Sequence, residues 1–275
     1  MPTDAAQLGN RIRRIILDQS KRAEVGHIGS ALSIADIIAV LYGRILSAQA
    51  GFDRDRFILS KGHAALAMFA ALHTVGRVSA DELESYCSNG TPFGVHPEHA
   101  VAGVDFSTGS LGHGLSIGAG AALAARLQDS DRAVYVLMSD AELNEGSVWE
   151  AAMFAAHHNL GALVAVVDAN DQQAFGYTQA VLDLGPIEER WSAFGWNVRC
   201  VDGHDPEALT EALRRPHDVR GRPTVVIAAT TFGKGVSYME GRLEWHYLAM
   251  TDEQYRQALD DLDVSMTLEA DLHAS

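Results

Sequence analysis

Two polar residues in the second half of the chain follow apolar runs, in positions where they could bind a metal ion together. Asp140 comes soon after the run 133–138, and Asn170 soon after the run 162–168. If both runs are parallel strands, one right-handed crossover brings the carboxylate and the amide to the same sheet edge. Their oxygen atoms suit Mg²⁺, which completes its shell with phosphate and water. The pair therefore indicates a magnesium-bridged phosphate site, unless Asp and Asn end these strands only because they satisfy turns.

The elements that must position this pair follow from the pattern of apolar runs. Strands are predicted at 56–60, 133–138, 162–168, 196–201 and 223–229, and helices between the later strands at 145–158, 186–194 and 205–215. Near-continuous apolar strands that alternate with helices predict a doubly wound α/β fold, with a mainly parallel sheet and helices on both faces. The whole chain, 1–275, is expected to form one domain, with a flexible acidic tail at 262–275.

The first half of the chain is predicted to be helical around a long loop. A helix is expected at 5–24, and a second one from Ser33, whose side chain is the expected N-cap. The segment 87–110 is rich in Gly, Pro and polar residues, which predicts a loop long enough to be functional. The small residues of 111–126 favour a closely packed helix.

Composition narrows the classes of partner. The 275 residues carry a formal net charge of −15, which argues against a nucleic-acid partner. No apolar run approaches the roughly 20 residues of a membrane span, and the N-terminal stretch lacks the apolar core of a signal peptide. Cys87 and Cys200 have no ligand-like spacing and are interpreted as free thiols. We therefore expect a cytoplasmic protein without a membrane or nucleic-acid partner.

The segment around Asp140 resembles the cofactor signature of the transketolase-like thiamin-diphosphate enzymes. In that signature a GDG triplet is followed, after a crossover of similar length, by an Asn; here the triplet reads Ser139-Asp140-Ala141, and "VDAN" ends at Asn170. The similarity extends to "VGHIGSALSIADIIAVLY", "RFILSKGHAALAMFAAL", "GVHPEHAVAGVDFSTGSLGHGLSIGAGAALA" and "TTFGKGVSYMEGRLEWHY". In order and spacing these segments cover residues from about 10 to 260, so the resemblance does not depend on one motif.

The resemblance implies a set of site residues. Asp140, the side chain of Asn170 and the backbone carbonyl of Gln172 would bind Mg²⁺. Thiamin diphosphate would contact His63, the backbone of Gly109, Ser110 and Leu111, the N–H of Ala141, and Glu142, Asn170 and His246. His27, His96 and His246 would act on the substrate, because ketol transfer moves protons on sugar hydroxyls and imidazole does so near neutral pH. His113, between Gly112 and Gly114 near the cofactor loop, is interpreted as a candidate cofactor contact without a chemical role. The other histidines, His204 among them, are interpreted as solvated or structural.

The chain departs from the family pattern at several of these positions. Ser139 and Ala141 replace glycines that let the backbone approach the diphosphate. Ala141 should reduce cofactor affinity little only if its φ is negative. Ile28 stands where the family has Pro, and Tyr247-Leu248 stand where a smaller Gly-Lys is expected. These changes put cofactor affinity and the choice of substrate in doubt.

The resemblance also implies a partner. It covers the diphosphate-binding part of transketolases and not the part whose glutamate protonates the aminopyrimidine ring. A separate C-terminal subunit should therefore supply the pyrimidine site. The expected assembly is α2β2, and the helix at 111–126 would suit its interface. The expected activity is transfer of a two-carbon ketol unit from a ketose or ketose phosphate to an aldose. The alternatives are a carboligase of the deoxyxylulose-phosphate synthase type and a non-catalytic scaffold subunit with a degenerate cofactor site.

Overall fold

The computed structural model describes residues 5–46, 51–214 and 220–274, with side chains described as far as residue 264. The strands are β1 Arg56–Leu59, β2 Val134–Ser139, β3 Leu163–Ala169, β4 Gln172–Gln173, β5 Gly176–Tyr177, β6 Asn197–Asp202 and β7 Thr224–Ala229. The helices are α1 Ala5–Ala23, α2 Ile28–Ser33, α3 Ala35–Val40, α4 Ala65–Thr74, α5 Ala80–Glu84, α6 Gly114–Leu127, α7 Gly146–His157, α8 Thr178–Leu182, α9 Ile187–Ala193, α10 Pro206–Ala212 and α11 Asp252–Ala274.

Within these residues, five strands form one parallel sheet in the order β1-β2-β3-β7-β6. The predicted strands are confirmed, with ends shifted by at most one residue, and so is the doubly wound α/β fold. The register of β2 and β3 places Ser139 beside Asp168. The carboxyl ends of these two strands therefore lie side by side, as the crossover predicts.

Two hydrophobic clusters cover the two faces of the sheet. Along β2, Val134, Val136 and Met138 belong to the cluster formed with α6, α7 and α9. Tyr135 and Leu137 belong to the cluster formed with α1 to α4, α10 and α11. Because successive strand residues point to opposite faces, a run that is apolar at every position buries both.

The helix expected from Ser33 begins at a different residue. Ser33 is the last residue of α2, and α3 follows with Ile34 at its N-cap and no side-chain cap. The hydroxyl of Ser33 donates to Asp168 at 2.6 Å instead, so the predicted cap at Ser33 is wrong. A polar residue before an apolar helical run resembles a cap, whose hydroxyl would accept from a helix N–H. Here the Ser33 hydroxyl accepts from the Asn170 amide instead and donates to the buried Asp168 carboxylate.

The remaining predictions for these regions have mixed outcomes. Residues 87–110 are described throughout and contain no helix or strand, which confirms the loop. Cys87 and Cys200 are free thiols. The α11 backbone is helical across most of 262–275, and the flexibility of that tail stays a prediction. No helix in the described part of the chain combines the length and the apolar character that crossing a membrane needs.

The small residues of α6 let this helix lie close to the sheet. A Cβ added at Gly118 would lie 2.4 Å from a methyl group of Val136 and 3.2 Å from one of Leu163. One face of α6 therefore packs within the chain, so its small residues do not require a partner to explain them. Gly120, on the exposed side of the same helix, has nothing within 4 Å of its added Cβ.

We expect Gly118→Ala to destabilise the fold by about 1–3 kcal/mol, because the added methyl group overpacks the interface between helix and sheet. Gly120→Ala is the matched control and should stabilise the fold by roughly 0.5–1 kcal/mol, since alanine is the better helix former. Urea unfolding of the two variants measures both effects. Equal stability of the two variants would contradict the close packing of α6.

Candidate active site

Asp140 lies buried just beyond β2, with hydrogen-bond donors on both carboxylate oxygens. Oδ1 accepts from the backbone N–H of Ala141 at 2.8 Å. Oδ2 accepts from the N–H of Asp171 at 2.8 Å and from the hydroxyl of Thr178 at 3.2 Å. Burial and the neighbouring Asp168 raise the pKa of Asp140 to about 7. A cation bound to this carboxylate would supply the positive charge that its ionised form needs.

Asn170 lies beside Asp140, as predicted, because the N–H of Asp171 binds the Asp140 carboxylate directly. The side-chain amide of Asn170 donates to Asp168 at 2.6 Å and to Ser33 at 3.2 Å. Its oxygen therefore points the other way, where it accepts from the N–H of Gln172 at 3.0 Å. The orientation of this amide is thus determined by its donors, and the oxygen keeps a second lone pair for a metal ion.

These residues fit the chemistry of a magnesium site. Asp140 offers a carboxylate oxygen and Asn170 an amide oxygen, both less than 10% exposed. Among the described residues no group of three His, Cys, Asp or Glu side chains could hold a metal ion. The predicted site uses a single carboxylate with an amide and a carbonyl, so Mg²⁺ stays a prediction that rests on the donor types.

A buried ion pair that the sequence did not reveal lies next to this site. Lys61 and Asp168 are both fully buried, and the Lys61 ammonium lies 2.5 Å from the Asp168 carboxylate. Asp168 also accepts from the hydroxyls of Ser33 and Thr230 and from the amide of Asn170. The signal that could have found this pair is a lysine at the end of one apolar strand and an aspartate inside another.

The side chain of Glu142 binds the loop that is predicted to contact the diphosphate. This side chain is fully buried, and one of its oxygens accepts from the N–H of Gly112 at 2.7 Å and from the hydroxyl of Ser60. Burial raises the pKa of Glu142, and its second oxygen has no partner. Gly62 and Gly109 approach so closely that a Cβ at Gly62 would lie 3.1 Å from the Gly109 backbone. The arrangement is a narrow backbone cradle of the kind that a phosphate group needs.

The predicted histidines converge over this cradle. The rings of His27 and His63 have centroids 5.3 Å apart. The backbone N–H of His27 donates to the backbone carbonyl of His246 at 3.2 Å. A Cβ built on Gly109 would lie 3.4 Å from the His96 ring. The Nδ1 atoms of His27 and His246 are buried without a partner. Buried polar atoms without partners are expected where a ligand binds, so the cluster fits a polar substrate.

Burial keeps three of these imidazoles in the neutral form. It lowers the pKa of His27, with a smaller contribution from His96, and that of His63, with a smaller contribution from Lys61. The pKa of His246 falls to about 4, mainly through burial and then through Lys61. A neutral imidazole can accept a proton at one nitrogen and donate one from the other. The three rings are therefore suited to exchange protons with hydroxyl groups.

The two replaced glycines are compatible with this geometry. Ala141 begins a 3₁₀ turn that ends at Asn144, and its φ is not positive, so the added methyl group should cost little. The hydroxyl of Ser139 accepts from the N–H of Glu142 at 3.1 Å. The N–H of Ala141 is bound by the Asp140 carboxylate here, and its contact with a diphosphate stays a prediction.

Fold and site together define an α/β protein with a polar site suited to a phosphate-bearing cofactor at the carboxyl ends of its parallel strands. Comparison with known proteins makes the class specific. Residues 5–267 match the family described as "Transketolase, thiamine diphosphate binding domain". The chain therefore belongs to the transketolase family and contains its thiamin-diphosphate-binding domain.

Two relatives of similar length are named as transketolase subunits. The chain is 37% identical to the 6-deoxy-6-sulfo-D-fructose transketolase subunit of Clostridium sp., covering 94% of this chain and 96% of that protein. It is 38% identical to an apulose-4-phosphate transketolase subunit of Phocaeicola vulgatus, covering 91% and 90%. These relatives identify the chain as a transketolase subunit.

Solved transketolases share the fold over a part of their length. The transketolase of Campylobacter jejuni superimposes with a TM-score of 0.86 at 28% identity, covering 94% of this chain and 42% of that one. The transketolase of Leishmania mexicana gives a TM-score of 0.86 at 27% identity, covering 96% and 42%. The chain thus spans about two-fifths of the length of these structures.

We expect Lys61→Met to destabilise the fold by about 3–5 kcal/mol, because it leaves the Asp168 carboxylate buried without its ion-pair partner. The double variant Lys61→Met/Asp168→Asn should lose less stability than the sum of the losses measured for Lys61→Met and for Asp168→Asn alone. Lys21→Met is the control, since its partner Asp252 is 84% exposed, and should cost about 1 kcal/mol or less. Urea unfolding measures all four variants, and strictly additive losses would show that the pair is not coupled.

The contribution of His246 to the stability of the unloaded chain should fall as the pH drops from 6.5 towards 4. The unfolded chain binds a proton at His246 near pH 6.5, whereas the folded chain binds it only near pH 4, so this group favours unfolding in acid. Asp140, whose pKa is raised to about 7, acts in the opposite direction over the same window, so the test compares variants rather than absolute stabilities. His246→Gln should remove the His246 contribution, up to about 3 kcal/mol. His157→Gln, on the exposed side of α7, is the control. Urea unfolding across this pH range measures the effect, and parallel curves for His246→Gln and the parent chain would contradict it.

Proposed function

We propose that this chain is the N-terminal subunit of a two-chain transketolase. The enzyme transfers a two-carbon ketol unit from a ketose or ketose phosphate to an aldose. The observation that carries the proposal is the junction of Asp140 with the loop of Asn170, together with the cluster of His27, His63 and His246. The two groups share an electrostatic neighbour because, beside the larger effect of burial, the Lys61 ammonium acts to lower the pKa of His63, His246 and Asp140 alike. One sheet edge thus unites donors suited to a metal-bound phosphate with neutral groups suited to a sugar.

The cofactor of this reaction is thiamin diphosphate held by Mg²⁺. Asp140, the side chain of Asn170 and the carbonyl of Gln172 would hold the metal, and the backbone of Gly109, Ser110 and Leu111 would contact the diphosphate. In this structure the Asp140 carboxylate accepts from the N–H of Ala141, and that N–H would be available to a phosphate oxygen if the carboxylate held the metal. The bound cofactor supplies the electron sink that C–C bond cleavage requires.

The chain's own imidazoles act on the substrate. His27 and His246 exchange protons with the donor oxygens nearest the bond that breaks, and His96 binds the terminal hydroxyl. His27 and His246 are suited to this role because burial keeps them uncharged and leaves the Nδ1 of each without a protein partner. His63 contacts the cofactor and is held through its Nε2 by the hydroxyl of Ser30 at 3.1 Å.

The partner is a separate chain that binds the aminopyrimidine ring, in an α2β2 assembly in the cytoplasm. The similarity to proteins of nearly the same length that are named as transketolase subunits supports a second chain. The two relatives described above are named for a sulfonated ketose and for a ketose phosphate, at nearly equal identity. We therefore propose the ketose class as donor and no individual sugar.

The non-catalytic scaffold remains an alternative motivated by Ser139 and Ala141. The φ of Ala141 and the buried, unpartnered Nδ1 atoms of His27 and His246 argue against it, because a site without a ligand has no reason to keep them. The deoxyxylulose-phosphate synthase type is disfavoured by the histidine cluster, which suits a polyhydroxylated donor better than pyruvate.

The proposal is tested by titrating thiamin diphosphate with Mg²⁺ into the chain coexpressed with its partner, and following the heat of binding. Asp140→Ala should abolish Mg²⁺-dependent binding and leave the fold intact by circular dichroism. Asp260→Ala, exposed on α11, is the matched control and should bind like the parent chain. Parental affinity in Asp140→Ala would refute the metal site, and no heat with the unmodified complex would support the scaffold.

A further inference from the structure

Tyr247 connects two segments of the site that are far apart in the chain. Its hydroxyl donates to the backbone carbonyl of Ala174 at 2.6 Å. Its own backbone is held against Gly26, where an added Cβ would lie 2.5 Å from the Tyr247 carbonyl oxygen. The side chain therefore extends from a firmly packed backbone across to the hairpin of β4 and β5, which holds Ala174 between its strands.

The hairpin that Tyr247 holds is continuous with the predicted metal loop. Gln172, whose carbonyl is a predicted metal ligand, opens the hairpin, and its N–H binds the side chain of Asn170. Two further hydrogen bonds tie the ends of this loop, from the N–H of Thr178 to Asp171 and from the Thr178 hydroxyl to Asp140. The tip around Ala174 is bound by the Tyr247 hydroxyl, and the neighbouring β4 residues are bound through their side-chain amides. Gln173 donates to Asn144 at 2.8 Å and Gln172 to the carbonyl of Gly241 at 3.4 Å, so the Tyr247 hydroxyl makes one of these three bonds and the one that reaches the turn itself.

The segment that Tyr247 belongs to carries a predicted substrate histidine. His246 immediately precedes it, and the two ring centroids lie 6.1 Å apart. The His246 ring stacks on Phe232 at 4.3 Å, which restrains its plane. One aromatic residue thus joins the wall that holds His246 to the hairpin that follows Asn170. The resemblance to transketolases predicts a small glycine at this position, which could not make this connection.

We propose that Tyr247 is a positioning residue, whose hydroxyl latches the metal-ligand hairpin to the segment that carries His246. The latch orders the hairpin before cofactor arrives, so that less ordering is needed when Mg²⁺ and diphosphate bind. The role of the hairpin in metal binding rests on the proposed function. The latch itself is a property of the unloaded chain and can be tested without cofactor.

The test compares Tyr247→Phe with Tyr255→Phe. Both substitutions remove a single hydroxyl, and the hydroxyl of Tyr255 donates to Asp18 at 2.7 Å, where α11 meets α1. In the unloaded chain, Tyr247→Phe should raise amide hydrogen exchange at 171–178 roughly two- to fivefold, as expected for one partly exposed hydrogen bond. In the complex with the partner chain, it should raise the Mg²⁺ concentration for half-maximal thiamin-diphosphate binding by a similar factor.

Tyr255→Phe should change neither quantity, although it removes an equivalent bond. Unchanged exchange at 171–178 in Tyr247→Phe would overturn the latch, whatever happens to metal binding. Faster exchange with unchanged Mg²⁺ dependence would overturn the positioning role. If the unmodified complex binds no thiamin diphosphate, the proposed function fails. The rate of amide hydrogen exchange at 171–178 in the unloaded chain still tests the latch.

Discussion

The site depends on a buried charge, the Asp168 carboxylate, and on the four donors that stabilise it, of which Lys61 supplies the opposite charge. Lys61, Ser33, Thr230 and Asn170 come from four different segments, and each must stand at hydrogen-bond distance for a fully buried anion to be tolerated. The strand ends, α2 and the segment after β7 are therefore held together by one electrostatic requirement. Because Asn170 is one of the donors, the requirement also orients the amide that is predicted to bind the metal.

The same charge distribution determines the protonation of the site. The Lys61 ammonium contributes to the low pKa of His63 and His246, and Asp168 contributes to the raised pKa of Asp140. In each case burial is the larger cause. The unloaded site therefore combines neutral imidazoles with a carboxylate that gains from a cation. Both features come from placing polar groups at the edge of an apolar sheet, where desolvation is strong.

The sequence predicts the parallel sheet well, because a strand buried on both faces is apolar at every position and stands out without knowledge of its neighbours. It also predicts that Asp140 and Asn170 meet, since crossover geometry constrains consecutive parallel strands. It does not reveal that Lys61 pairs with Asp168, which lies 107 positions away, or that Ser33 serves this carboxylate rather than a helix N-terminus. Such pairings depend on packing between distant segments. Local patterns show a charged residue in apolar surroundings, but not which residue it pairs with.

Departures from a family pattern have different physical consequences depending on the backbone. Ala141 replaces a glycine without strain, because the 3₁₀ turn needs no positive φ there, and the cradle can remain functional. Tyr247 replaces a small residue with a large one that is 58% exposed and finds an acceptor across the site. A small change that keeps the backbone conformation leaves binding possible. A large change that forms a new contact alters how the site is assembled, so the distinctive properties of this protein should originate at Tyr247 rather than in the altered triplet.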